Sequence, residues 1–511
     1  EWEWYFMRDI TGSKDGLEVE SAFHKRMRKY IDENGVVWSH PGCYNEGDIN
    51  AEYDKEDIVV HNWGAAKILK SLSEDYRRTG SSESLVLAQK VMKALKKLAT
   101  WDDMGRCWFI AGMGALRADG SIVPNPWNKQ PLPIVEPLVT YWLATGDEEG
   151  LKFAKASAKG LIYNLQPGSI EFHSDGSIGA GFEQFDYAPH SHATMHAVWG
   201  IADLGIITGE EEYIDFAKRA FDWMLTRGTG TGWFPSGPDS CNETCCLSDM
   251  ISIACALGKW GYSEYFDYAE RYFRNHINNQ QFILTEDFKQ YYRSLHKDKN
   301  VDMVEKGLTE LEKFQGGIVG GTGLNDYENV LLGGRGGYEM YGCCAPEGMR
   351  AIHTIWSHAI EKLPASVTGD EGIYVNMCFN RKSQWGDVVS FMNEEGRVTV
   401  KAAIDGDFFI RVPSWVSHSD AYAFVNAKPC DTVWRGDYVK LSAKIGDELT
   451  VTWPLVGFTH KVSGLWKSCA PELEMTYEWL GNMVVKVQPA AEHTALFLGK
   501  PRIQPDYASI D

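Results

Sequence analysis

Four helix-turn-helix joints repeat one short pattern through the first half of this 511-residue chain. They are Thr79-Gly80-Ser81, Thr145-Gly146-Asp147, Thr208-Gly209-Glu210 and Trp260-Gly261-Tyr262. Eight residues after each glycine stands an alanine: Ala88, Ala154, Ala217 and Ala269. A bulky apolar residue precedes each alanine (Leu87, Phe153, Phe216, Tyr268), and another lies three positions before it (Leu85, Leu151, Ile214, Phe266). Glycine tolerates the left-handed conformation that ends a helix. Ser or an acidic residue then suits the start of the next one. Apolar residues at spacings of three and four make a buried stripe, and a small alanine on it lets two helices approach closely. The joints lie 66, 63 and 52 residues apart, so each unit is a helical hairpin plus a loop of variable length. Stacked hairpins make a solenoid or a closed α/α toroid. Further helices near Val19–Ile31, Asp57–Tyr76 and Arg350–Leu363 bring the count to about six hairpins, an (α/α)6 barrel.

Long loops rich in Gly, Pro, Asp and aromatics interrupt the pattern at Asn34–Glu56, Met104–Trp127, Pro167–Pro189, Thr226–Asn242 and Gly316–Tyr341. Loops on a rigid scaffold are where sites are built. The glycine clusters at 316–321 and 333–337 lack the Lys-Ser/Thr of a phosphate loop. They read as backbone that approaches the Cys343 region closely. After about residue 368 the pattern changes to short alternating runs, such as Val398–Lys401, Phe408–Val412, Ala421–Val425, Val439–Leu441, Leu449–Trp453 and Met483–Val487. Such runs predict a β-sandwich. The expected architecture is therefore mainly α with a β domain: a helical barrel over 1–367 and a C-terminal β-sandwich over 368–511.

The formal charge is −20, spread along the chain, which argues against a nucleic-acid or anionic-membrane surface. No apolar run approaches the roughly 20 residues of a membrane span. Residue 1 is Glu and no signal peptide is visible. The expectation is a soluble protein, cytoplasmic or periplasmic, with a removed signal peptide and homo-oligomer formation both left open. Nineteen Trp and 23 Tyr suit sugar rings, although buried aromatics in helical cores are the commoner use. Eleven cysteines, an odd and sparse set, are no disulfide scaffold.

Two cysteine motifs carry the chemistry. The first is Cys241-Asn242-Glu243-Thr244-Cys245-Cys246, and the second is Tyr341-Gly342-Cys343-Cys344-Ala345-Pro346-Glu347. Adjacent Cα atoms lie about 3.8 Å apart, below the usual disulfide range. Cys343 and Cys344 are thus not expected to bond to each other, yet both sulfurs can reach one ion. On an extended segment, Glu243 and Cys245 would point to the same side. Three thiolates and one carboxylate complete a tetrahedral zinc site. The candidate Zn2+ ligands are Glu243, Cys245, Cys343 and Cys344; the competing reading is that these cysteines are small buried hydrophobes. Cys241 and Cys246 read as packing. Asn242-Glu243-Thr244 matches a glycosylation sequon, discounted because a glycan would sit on the metal site.

With these motifs the chain resembles the β-L-arabinofuranosidase families of glycoside hydrolases, numbered 127 and 146. The resemblance rests on Glu243-Thr244-Cys245 and on Cys343-Cys344-Ala345-Pro346 with Arg350 six residues after the second cysteine. It also rests on the stretch from His190 or His192 to Gly200-Ile201-Ala202-Asp203 and Thr208-Gly209, and on Ile410–Trp415. It spans roughly residues 60–460 and implies an (α/α)6 barrel, β-sandwich domains and zinc held by one Glu and three Cys. It also implies that Cys343 is the nucleophile of a retaining glycosidase. That role requires a thiolate, and zinc lowers a thiol's pKa. Four protein ligands also fit a purely structural zinc.

The family's general acid/base is a Glu in the loop upstream of Glu-x-Cys. Here Gly228–Asn242 holds no Glu, and its only carboxylate is Asp239. Asp239 is the first candidate acid/base, with Glu183 or Asp186 from another loop as alternatives. His190, His192, Glu183, Trp233 and Tyr341 are the expected sugar contacts. His192 and His196 would share a helical face, where a second metal is conceivable and a structural role for His196 preferred. The expected function is a zinc-dependent, retaining, exo-acting glycoside hydrolase releasing β-L-arabinofuranose or a related sugar from plant or algal glycans. The rivals are a polysaccharide lyase on an α/α toroid and a non-catalytic glycan-binding protein with structural zinc.

Overall fold

The repeated Thr-Gly joints close helical hairpins in the computed structural model of the chain. It describes residues 3–39, 59–117, 119–124, 126–166, 172–173, 175–177, 190–236, 242–322, 342–365, 369–392, 395–465 and 472–489. The helices are α1 (Glu3–Thr11), α2 (Leu17–Arg28), α3 (Asn62–Thr79), α4 (Ser82–Leu98), α5 (Val135–Thr145), α6 (Glu148–Ile162), α7 (Ser191–Thr208), α8 (Glu211–Leu225), α9 (Thr244–Trp260), α10 (Tyr265–Asn275), α11 (Glu286–Leu295), α12 (Val301–Glu312) and α13 (Cys344–His358). Gly80, Gly146 and Gly209 take φ of 71°, 68° and 70°, the left-handed region where a side chain is strained. The threonine of these three joints works on both sides of the turn. Its hydroxyl donates to the carbonyl four residues back, as in Thr145 to Tyr141 at 2.7 Å. It then accepts the N–H two residues on, as from Asp147 at 3.2 Å. Ala88, Ala154, Ala217 and Ala269 are all fully buried, as the repeat requires.

Helices α3, α5, α7, α9 and α13 pack in succession as an inner layer. The amphipathic α4, α6, α8 and α10 lie outside their hairpin partners. The inner helix α9 is buried continuously from Thr244 to Gly258. The ring closes through α1, which packs on α13. Its Asp9 pairs with Arg78 of α3 at 2.7 Å and with His353 of α13 at 3.0 Å. Among the described residues no helix is long and apolar enough to cross a membrane.

The element boundaries correct the sequence reading in two places. The last inner helix begins at Cys344 rather than Arg350, and Ile360–Leu363 is a strand. That segment pairs antiparallel with Gly372–Val375, so ladder hydrogen bonds outweigh its helical pattern. The short, highly charged α11 and α12 lie between the last joint and the second cysteine motif, where the repeat does not reach.

Beyond the barrel, two sheets share one core. One has six strands, from Arg381–Lys382 to Lys428–Cys430, and the other has five, from Val433–Arg435 to Ile360–Leu363. Val388, Val398, Val400 and Val451 of the first meet Ile373, Phe408, Ile410 and Val439 of the second, a β-sandwich. Met483–Gln488, expected as a further strand, joins a separate three-stranded sheet instead. That sheet is held to α10 by Asn275, whose side chain donates to the Asn482 carbonyl at 2.7 Å and accepts the Val484 N–H at 2.9 Å.

The sandwich docks through a buried charge. Arg411 is 1% exposed and meets Asp267 of α10 at 2.7 Å. Asp267 also accepts from the Ser414 N–H and hydroxyl at 2.8 and 2.7 Å. Burial alone would raise the Asp267 pKa, but Arg411 and Ser414 hold it below the usual carboxylate value. Removing one partner leaves the other charged and dry, which costs about 3–5 kcal/mol. Arg411→Met is expected to lower unfolding stability by that amount in a urea titration, whereas an exposed control, Lys444→Met, shifts it by under about 0.5 kcal/mol.

Candidate metal centre

The two cysteine motifs become the N-termini of neighbouring parallel inner helices. Glu243 is extended, φ −121° and ψ 117°, and stands immediately before α9; Cys245 is the second residue of that helix. The chain thus leaves the extended segment expected over 243–245 at Thr244. Asn242–Glu243 pairs with Gly321–Thr322, and the Thr244 hydroxyl donates to the Val319 carbonyl at 2.8 Å. This places the first glycine cluster against the motif; the second, 333–337, lies outside the described residues. Cys343 stands immediately before α13, Cys344 opens it, and Pro346 occupies its first turn, where the missing N–H costs nothing. Both helix ends present positive dipole and unpaired N–H groups, an environment that favours thiolates.

One ligand atom from each of Glu243, Cys245, Cys343 and Cys344 lies within 4.8 Å of the others. The Cys343 and Cys344 sulfurs are 3.8 Å apart, and those of Cys245 and Cys344 are 3.2 Å apart. A tetrahedron of sulfurs at about 2.3 Å from zinc has edges of about 3.8 Å, so the cluster closes to the size of such a site. Glu243 supports the fit: Oε1 meets His190 Nε2 at 2.9 Å, while buried Oε2 has no hydrogen-bond partner among the described residues. A carboxylate oxygen without a partner costs free energy that a cation offsets. Glu243, Cys245 and Cys344 are buried; Cys343 is exposed. Cys245 and Cys344 hydrogen-bond to Cys343 and push its pKa far down, with help from His192 and His190. Burial pushes Cys245 up. All eight described cysteines are free, and Cys246 lies in the hydrophobic core with Leu247. Cys241 lies outside the described residues.

Behind the cluster sit the histidines of α7. His192 Nδ1 meets Asp249 Oδ2 at 2.7 Å. Burial lowers its pKa, but the Asp249 carboxylate outweighs this and raises it. His192, His196 and Glu347 also lie close enough to form a metal triad. Their surroundings oppose a second cation: after burial, Lys67, His192, Arg350 and Lys70 all push the His196 pKa down. Glu347 is already taken by Arg350, and by Lys67 at 3.4 Å. Of the expected sugar contacts, His190 and His192 stand at the cluster. Trp233 is 2% exposed, a buried indole rather than an open platform. Asp239, Glu183, Asp186 and Tyr341 lie outside the described residues. The sequence reading passed over Asp249, Glu347 and Lys67. The spacing held a signal for the first two: Asp249 is four residues after Cys245 and Glu347 three after Cys344, each on the helix face that carries the sulfur.

No family model matches the sequence. A cellobiose 2-epimerase from Ruminococcus albus is 23% identical over 179 residues, which are 33% of this chain and 45% of that protein. The chain therefore spans under half the length of that curated relative. A GH127 β-L-arabinofuranosidase from Geobacillus stearothermophilus T6 superposes with a TM-score of 0.58 at 13% identity, over 93% of this chain and 74% of the other. A second GH127 β-arabinofuranosidase gives 0.58 at 14% identity, over 94% and 73%. This chain has the fold of those glycoside hydrolases, a helical toroid followed by a β-sandwich, as its motifs implied.

Proposed function

We propose that the chain is a zinc-dependent, retaining, exo-acting glycoside hydrolase whose nucleophile is Cys343. The substrate is a carbohydrate, with β-L-arabinofuranose or a closely related sugar at its non-reducing end. The observation that carries this reading is the cluster itself: one exposed cysteine inside a three-sulfur, one-carboxylate set. A nucleophile must be reachable, and Cys343 is the exposed member of the set. The shared fold with two GH127 β-arabinofuranosidases supports the substrate class.

In the first step the Cys343 thiolate attacks the anomeric carbon and the glycosidic C–O bond breaks. The leaving oxygen takes a proton from a carboxylic acid, for which Asp239 is the candidate, and leaves it as a carboxylate. In the second step the same carboxylate removes a proton from water, the water oxygen bonds to the anomeric carbon, and the thiolate leaves. Two inversions give net retention. Bound zinc would keep Cys343 ionised and make it a better leaving group. His190, bonded to Glu243 at the cluster, serves to bind and orient the sugar hydroxyls; His192 is 3% exposed and is held by Asp249 behind it.

The test is the first-formed anomer from an aryl β-L-arabinofuranoside, followed by proton NMR. The expected product is β-L-arabinofuranose. The α-anomer would contradict a glycosyl-cysteine, and an unsaturated product absorbing in the ultraviolet would show a lyase. Binding without turnover would show a glycan-binding protein. The epimerase match supports a sugar-acting toroid and favours a second reading, in which the Asp249–His192 dyad takes a proton beside a sugar carbonyl. That chemistry would leave the glycosidic bond intact and Cys343 dispensable.

A further inference from the structure

The facing sides of α9 and α13 carry a ladder of side-chain rungs in one register. The first rung is Cys245 to Cys344, 3.2 Å between sulfurs and 99 residues apart in sequence. The second, again 99 residues apart, is the Ser248 hydroxyl donating to the Glu347 carbonyl at 2.6 Å. The third is Arg350. Its Nη2 donates to Asp249 Oδ1 at 2.6 Å and its Nη1 to Ser252 Oγ at 2.7 Å, both on α9. Its Nε donates to Glu347 on its own helix. The guanidinium lies 4.3 Å from the ring of Trp199 on α7, and Arg350 is 1% exposed.

We propose that Arg350 is the positioning residue that sets the separation of the two sulfur-bearing helix ends and, through Asp249, the orientation of His192. This rests on the metal reading above. At about 1.5 Å of rise per residue, the Arg350 rung lies about 9 Å below the Cys344 rung. A guanidinium that binds two side chains on one neighbour and stacks on another fixes both the slide and the rotation of α13. Parallel helices with nothing but apolar contact can slide by fractions of a turn at little cost; a forked, buried ion pair cannot. Asp249 accepts from Arg350 on one oxygen and from His192 Nδ1 on the other, so one residue holds both the metal-binding sulfurs and the imidazole in place. A lysine in its place could make one of these bonds but not the fork.

The test uses full-length protein stripped of metal and titrated with Co2+ alone, reading the thiolate-to-cobalt charge-transfer band, with circular dichroism as the check on folding. Wild type is expected to bind one Co2+. Arg350→Met is expected to stay helical, to bind Co2+ about 10–100-fold more weakly, and to show a shifted band. A general loss of stability would not shift that band. Arg350→Lys, which keeps the buried positive charge and one bond but not the fork, supplies the answer if Arg350→Met does not fold; it is expected to weaken Co2+ binding several-fold. Wild-type affinity and spectrum in whichever variant is folded would overturn the positioning role alone. A wild type that binds no Co2+ would overturn the metal reading and this one with it.

Discussion

Replacing Cys343 with alanine is expected to reduce kcat on a β-L-arabinofuranoside by about 10,000-fold or more, with the fold unchanged by circular dichroism. That loss corresponds to about 5 kcal/mol of barrier. The size follows from the chemistry: no other described group at the cluster is both exposed and nucleophilic, and a retaining path without its nucleophile must begin with unassisted attack by water. Cys343 is the exposed member of the set, so its removal creates no buried cavity. Cys343→Ser separates two readings. A serine hydroxyl is not ionised by two thiol donors and a nearby cation, so a nucleophile is lost, whereas a binding protein would hold its glycan as before. Steady-state kinetics on the aryl glycoside checks the first outcome and calorimetric titration with an oligosaccharide checks the second.

Removal of metal is expected to abolish the same activity and to lower the melting temperature by several degrees. A ligand that binds only the folded state stabilises it by about 4 kcal/mol at a thousand times its dissociation constant. The second effect belongs to the buried half of the site. Buried Glu243 keeps one oxygen with no hydrogen-bond partner among the described residues. The carboxylate oxygen is costly without a cation and satisfied with one. Glu243→Ala is expected to act as chelation does. Dialysis against a chelator, then metal analysis, melting and reactivation by Zn2+, checks the set. Unchanged turnover in fully metal-free protein would exclude a metal role in the chemistry.

The barrel was readable because its turns recur. Three Thr-Gly joints use one hydroxyl twice and one left-handed glycine, a Trp-Gly joint makes the fourth, and a buried alanine follows each at a fixed distance, so local chemistry repeats where the fold repeats. The Cys/Glu cluster was readable because few residue types offer soft donors, and two motifs held all four candidate ligands. Other features depend on partners distant in the chain. Ile360–Leu363 looks helical until Gly372–Val375 pairs with it. Met483–Gln488 alternates like a sandwich strand but takes its place from Asn275 on α10. Asp249 and Lys67 look like ordinary charged residues on inner helices; only the packing of α3, α7, α9 and α13 reveals that one holds Arg350 and the other Glu347. Trp233 carried a sugar-stacking expectation from its residue type alone, and burial decides against an open platform.

The most direct test is the mass of the cysteine peptides after the zinc-loaded protein meets an electrophilic, mechanism-based arabinofuranosyl inactivator. The expected result is one added sugar-derived group, on Cys343, formed in step with loss of activity and prevented by prior chelation. A label on an aspartate or glutamate, or full inactivation with Cys343 unmodified, would contradict a sulfur nucleophile.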